Sequence, residues 1–167
     1  SGSTNIDASS SFAITGSSKL NGSFAGELNY VFNSTDGIFR VSRNYPITLG
    51  NNQSVFGIWV KGNLSQNILK YYFKDANNNP YSKEVDTLNF TGWKMLFVKL
   101  SDVANEDLSF DGVGIIQTEI APSSGKIFID DAQYDFTTPV QNEFTSNPVE
   151  YSLSQNYPNP FNPSTII

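Results

Sequence analysis

The chain has 167 residues, enough for one domain of ordinary size plus a tail, and its 38% hydrophobic and 14% aromatic content suits a β-sandwich better than a helical bundle. With 16 acidic against 10 basic residues the net charge is −6, so the basic surface that nucleic acids and anionic membranes require is missing. Histidine and cysteine are absent, which removes the usual general base, thiol chemistry, disulfides and the common transition-metal ligands, and no apolar run nears the roughly 20 residues of a bilayer span.

No signal peptide is evident, and Ser1-Gly2-Ser3 reads as an expression-tag scar or as the edge of a domain cut from a larger protein. Residues 5–26 are small and polar, with a strand predicted at 11–15 and turn material at 19–26. Residues 27–33 alternate, placing Leu28, Tyr30 and Phe32 on one side. Ser34-Thr35-Asp36-Gly37 then forms a hairpin turn candidate, because Asp-Gly favours positive φ. A second strand at 38–42 is interrupted by Tyr45-Pro46. After a turn at 50–53, residues 55–61 set Val55, Gly57 and Trp59 against Phe56, Ile58 and Val60. Residues 68–74 set Leu69, Tyr71 and Phe73 opposite Lys70, Tyr72 and Lys74, one core-like face and one solvent-like.

A polar turn at 75–80 and a weak strand at 81–85 lead to the most apolar stretch, Trp93-Lys94-Met95-Leu96-Phe97-Val98-Lys99-Leu100. Both faces of this segment carry apolar groups, which predicts a central strand. Leu96, Val98 and Leu100 would fill the core, and Trp93, Met95 and Phe97 would look toward a groove or a covering loop. Val113–Ile116 and residues 126–132 supply the last strands. Strands every 8–14 residues with no helix between them predict an all-β, antiparallel two-sheet β-sandwich with an extended C-terminal tail. Beyond Phe136 prolines accumulate and no Lys or Arg follows Lys126, so residues 138–150 read as a linker.

The succession Gly57-Ile58-Trp59-Val60-Lys61-Gly62, Tyr72-Phe73-Lys74-Asp75-Ala76-Asn77, Thr91-Gly92-Trp93-Lys94 and Gly125-Lys126-Ile127-Phe128-Ile129-Asp130-Asp131 resembles jelly-roll carbohydrate-binding modules, notably those beside phosphodiester glycosidase and other polysaccharide-acting domains. That resemblance covers residues 27–134 and implies a jelly roll over residues 1–137. It also implies a structural Ca2+ on the last strand, with Asp130, Asp131 and Asp7 as candidate ligands. Tyr151-Ser152-Leu153-Ser154-Gln155-Asn156-Tyr157-Pro158-Asn159-Pro160-Phe161-Asn162-Pro163-Ser164-Thr165 resembles the opening of the C-terminal sorting domain of type IX secretion substrates. Residues 151–167 would then be an N-terminal fragment of that domain, which implies export from a Bacteroidota-like bacterium, with release or cell-surface attachment.

Protein grooves bind sugars with rings against the apolar faces of pyranoses, helped by a few hydrogen-bonding groups. The candidates are Trp59, Tyr72, Tyr45 and Tyr81, flanked by Arg40, Lys70, Lys74, Gln117 and Asn29. For Trp59 and Trp93 core packing is the favoured reading, for Trp93 above all, and Lys70 and Lys74 suit a solvated face. Adjacent Asp130 and Asp131 point to opposite faces of a strand, and calcium's preference for oxygen ligands fits a chain without His or Cys. Glu84 with Asp86, or Asp107 with Asp111, are acid pairs that chance supplies, so no enzyme is predicted. The expected role is non-catalytic binding of a polysaccharide or cell-surface glycan beside a catalytic domain of a secreted parent. The type IX secretion machinery is a further expected partner, and nucleic acid and membrane insertion are not. The alternative is a structural spacer or protein-interaction sandwich, with edge-strand peptide recognition as a third class.

Overall fold

The computed structural model describes residues 2–49 and 54–135. Their strands are β1 (Ser11–Thr15), β2 (Ala25–Val31), β3 (Ile38–Thr48), β4 (Val55–Asn63), β5 (Ile68–Lys74), β6 (Pro80–Thr87), β7 (Thr91–Lys99), β8 (Ser109–Ile116) and β9 (Ser124–Tyr134). One short 3₁₀ turn at Leu100–Asp102 follows β7. The strands form a five-stranded sheet in the order β1-β2-β9-β4-β7 and a four-stranded sheet in the order β3-β8-β5-β6, every pair antiparallel. The expected two-sheet sandwich is therefore the observed architecture.

Alternation explains how the sheets stack. Leu28 and Tyr30 of β2, Phe56, Ile58 and Val60 of β4, Leu96 and Val98 of β7, and Leu69, Tyr71 and Phe73 of β5 are all buried at every second position. Phe56 of the five-stranded sheet reaches into a set of rings from the other sheet, 4.5 Å from Phe110, 5.7 Å from Tyr71 and 6.2 Å from Phe73 between centroids. These tilted and edge-on contacts are the favoured ring geometries and lock the layers in register. The Tyr71 hydroxyl, fully buried, donates to the Leu96 carbonyl at 2.9 Å, tying β5 to β7 across the core. Burial pushes that hydroxyl's pKa upward, against a weaker opposing pull from the Ile58 backbone.

Three expectations change. The Trp93–Leu100 stretch is β7, which among the described residues pairs only with β4 and so lies at the edge of its sheet rather than at its centre. Its two apolar faces arise because its outward face joins a ring-bearing surface, not because a strand flanks it on each side. Tyr45-Pro46 does not end β3. The ladder to β8 breaks between Ser42 and Ile47, and the strand then resumes with Ile47 opposite Phe110. Gly112 stands against the break, where a Cβ would lie 2.1 Å from the Val41 carbonyl oxygen, so only glycine lets β8 pass so close to β3. The weak strand at 81–85 is the full-length β6. The predicted turn at 50–53, the linker at 138–150 and the 151–167 segment lie outside the described residues.

Candidate functional site

Two outward faces carry the sequence-predicted residues. On the four-stranded sheet, Lys70, Tyr72 and Lys74 project from β5 opposite its buried Leu69, Tyr71 and Phe73. The register brings Arg40 of β3 beside them, because Arg40 and Lys70 both pair with Gly114 of β8. The Arg40 guanidinium lies 4.0 Å from the centroid of the Tyr72 ring. Across the sheet that ring lies against Gly114, where a Cβ would come within 2.8 Å of Tyr72 Cε2. Asp111 is the extra residue of a bulge between Tyr72 and Phe73 in the ladder, and its side chain is only 3% exposed. It accepts a hydrogen bond from Arg40 Nη2 and sits 3.1 Å from Lys74 Nζ. Desolvation raises the Tyr72 pKa, with Arg40 pulling it back down and Glu84 pushing it up. This face is a closed network in which the Tyr72 ring is already stacked and the buried carboxylate already paired.

The other predicted ligand residues are scattered. Tyr45 is 83% exposed on the stretch of β3 that leaves the ladder. Tyr81 pairs with Phe73 and packs against the core, and its hydroxyl bonds to Asp75. Desolvation first, then the Asp75 and Glu106 charges, raises the Tyr81 pKa. Gln117 is buried at 7% exposure, and its Oε1 has no partner among the described residues, so it faces the interior. Asn29 is half-buried and reaches the Ser9 carbonyl at 3.5 Å.

Trp59 lies on the outward face of the five-stranded sheet, among residues that sequence reasoning did not select as ligands. It pairs with Met95, while Lys61 pairs with Trp93 and Phe128, and Gly57 with Phe97. Each of these rings is half-buried and none belongs to the core or packs against it. Among the described residues no ring pair or cation contact involves Trp59 or Trp93. The signal for Trp93, Met95 and Phe97 was the aromatic side of β7. For Phe128 it was parity against buried Ile127.

The β1–β2 loop, residues 16–24, is fastened beside this surface. Asp130, opposite Trp59 in the ladder, accepts the Leu20 and Asn21 amides on Oδ2 at 2.8 and 3.1 Å and the Asp131 amide on Oδ1 at 2.8 Å. Asp131 accepts Asn21 Nδ2 at 3.1 Å and Gln133 Nε2 at 2.9 Å. Lys61 Nζ donates to Ser18 Oγ at 3.0 Å and stands 5.8 Å from the Phe128 ring centroid.

The same bonds bear on calcium. A cation needs converging oxygens, whereas the oxygens of Asp130 and Asp131 face N–H donors, the surroundings of an anion. Asp7 accepts the Ser9 amide at 2.9 Å and hydroxyl at 2.7 Å, and these bonds hold its pKa below the usual carboxylate value. Among the described residues no group of three or more Asp, Glu, His or Cys is arranged to hold a metal. As placed, the three carboxylates do not present a calcium ligand set.

Two stacked antiparallel sheets are the architecture of β-sandwich carbohydrate-binding modules, and this chain has that fold. It is similar to the family 30 module of a cellulosomal cellulase of Clostridium thermocellum, with a TM-score of 0.51 and 12% identity over 83% of this chain and 88% of that one. A second similar structure is one of the β-sandwich superfamily modules with promiscuous specificity, with a TM-score of 0.50 and 11% identity over 79% of this chain and 54% of that one. Among curated proteins, a flagellar filament outer layer-like protein of Brachyspira hyodysenteriae is 26% identical over 100 residues, 54% of this chain and 46% of its own length. The chain thus spans about half the length of that relative. No family model matches.

Proposed function

We propose that the domain binds a polysaccharide without acting on it, holding the sugar rings on the outward face of the five-stranded sheet. The observation that carries this is the run of outward rings Trp59, Trp93 and Phe97 beside Met95, in which Trp59 and Trp93 carry no ring or cation of the described residues. A pyranose offers one apolar face and a rim of hydroxyls. The rings take the face, and Lys61 and the 16–24 loop supply donors and acceptors for the rim. The Tyr72 face suits a sugar less, because stacking there would displace Arg40.

The non-catalytic reading has its own support. Glu84 lies 4.0 Å from Lys70, Asp86 is 2.7 Å from Lys94, and Asp111 is held by Arg40 and Lys74, so these candidate acids are engaged in ion pairs. A secreted parent with a catalytic neighbour, exported by a type IX system, follows from the resemblances of residues 27–134 and 151–165. The outer-layer name of the curated relative favours one second reading, in which the same ring-bearing face packs against a neighbour in an assembly. Affinity electrophoresis of the chain through gels holding soluble β-glucans, galactans, mannans and xylans tests the first reading. Retardation by at least one polysaccharide is expected, and unretarded migration in all of them would leave the assembly reading.

A further inference from the structure

The sandwich has an unfinished seam. Phe12 and Ile14 of β1 pair with Leu28 and Gly26, so they share the inward face of the five-stranded sheet. Leu28 is fully buried, yet Phe12 and Ile14 are 42% and 65% exposed, because among the described residues a hollow separates them from Ile47 and Phe110 of the other sheet. On the opposite side β3 leaves its ladder between Ser42 and Ile47. The N-terminal segment closes one end of this gap, with Thr4 bridging Ile38 and Ile6 bridging Phe32. Farther along, a pocket of about 470 Å³ opens between β1 and β3, and Phe110, Val113 and Ile129 bring the core itself to its floor. It meets a second hollow of about 210 Å³, with Phe12 and Arg43 lining both; Asp130 and Asp131 line the smaller one, and among the described residues the larger holds no acid.

The edges of the two sheets differ in how they are protected. Proteins blunt open edges with charges, prolines and bulges, since unpaired backbone groups invite another strand. β3 has Pro46 and its bulge, β6 has Pro80 and Lys83, and β7 has Lys94 and Lys99. β1 reads Ser-Phe-Ala-Ile-Thr, with no charge and no proline, and among the described residues it pairs on one side only.

We propose that the free edge of β1 takes up an extended peptide from a partner protein, with alternate side chains entering the seam pocket. A strand laid there gains backbone hydrogen bonds along β1, and its inward side chains fall beside Phe12 and Tyr45. Apolar anchors suit the floor of the pocket. A carboxylate suits Arg43, whose Nε donates to the Tyr45 carbonyl at 3.2 Å and which has no acidic partner among the described residues. A peptide is favoured over a lipid-like ligand because only a peptide uses the backbone edge as well as the pocket.

The test mixes the full 167-residue chain with a fluorescein-labelled peptide in which Thr alternates with Val, Phe and Glu, and reads anisotropy together with hydrogen exchange in β1. Binding should slow exchange of the β1 amides. Arg43→Glu and Ile14→Lys should each weaken it about tenfold, the scale of one charge-assisted hydrogen bond or one lost anchor. A peptide with Lys in place of Glu should bind the wild type about tenfold more weakly and regain affinity on Arg43→Glu, a swap that a folding defect cannot mimic. Absence of binding, or binding indifferent to Arg43→Glu, would overturn the proposal. So would β1 amides already protected in the dilute chain alone, which means its own residues cover the edge. Protection that grows with chain concentration alongside a dimer mass would assign the edge to a second copy, and would overturn it equally.

Discussion

Replacing Asp111 by alanine isolates the four-stranded face. The carboxylate is 3% exposed and holds Arg40 and Lys74, themselves 19% and 34% exposed. Its loss leaves two cations beside each other with no shared counter-charge, and Arg40 Nε is already buried without a partner among the described residues. Removing one member of a buried pair costs about 3–5 kcal/mol where the survivor stays trapped. Arg40 and Lys74 can swing partly into water, so the lower end applies, about 3 kcal/mol. Some of that cost comes from the guanidinium leaving the Tyr72 ring, a contact worth about 0.5–2 kcal/mol. Asp111→Asn keeps an acceptor and should lose about 2 kcal/mol. Urea unfolding would show these losses with an unchanged slope, and the thermal midpoint of Asp111→Ala should fall on the order of 10 °C. Variants within about 0.5 kcal/mol of wild type would refute the claim that this network is structural rather than a ligand site.

Tyr71→Phe removes the hydroxyl that reaches Leu96 across the core and leaves that carbonyl without this donor, which should cost about 1–2 kcal/mol in urea unfolding. Tyr71 and Tyr72 keep their protons above the ordinary tyrosine value of 10.0, so the folded chain binds more protons than the unfolded one in alkali. Stability should therefore be intact below pH 10 and fall as pH rises beyond it, with phenolate absorbance at 295 nm following unfolding. A chelator should leave the thermal midpoint of the wild type unchanged, whereas Asp130→Ala, which frees the Leu20 and Asn21 amides, should speed their hydrogen exchange; a midpoint that drops with chelator would restore the calcium ion.

The layers were legible because burial writes a period of two into sequence. Leu69, Tyr71 and Phe73 against Lys70, Tyr72 and Lys74 is a local pattern, and the core follows it. Strand order is not local. β7 shows apolar groups on both faces, the usual mark of a central strand, yet it lies at an edge because the second face belongs to a surface. The same limit applies to sites. Lys70, Tyr72 and Lys74 share a strand and so were readable together, but the stacking of Arg40 depends on β8 lying between β3 and β5. Gln117 gave no sign of burial, since its place at the end of β8 is set by contacts distant in sequence. Trp59 could be placed on a strand but not on a side, and only the pairing with β7 and β9 shows that its neighbours are Met95, Lys61 and Asp130.

Calorimetric titration with whichever polysaccharide retards the wild type, run on Trp59→Ala and Tyr72→Ala in parallel, tests the central claim most directly. The ring-bearing face predicts that Trp59→Ala abolishes the heat of binding while Tyr72→Ala keeps it. Loss with Tyr72→Ala and retention with Trp59→Ala would contradict the account and move the glycan to the opposite sheet.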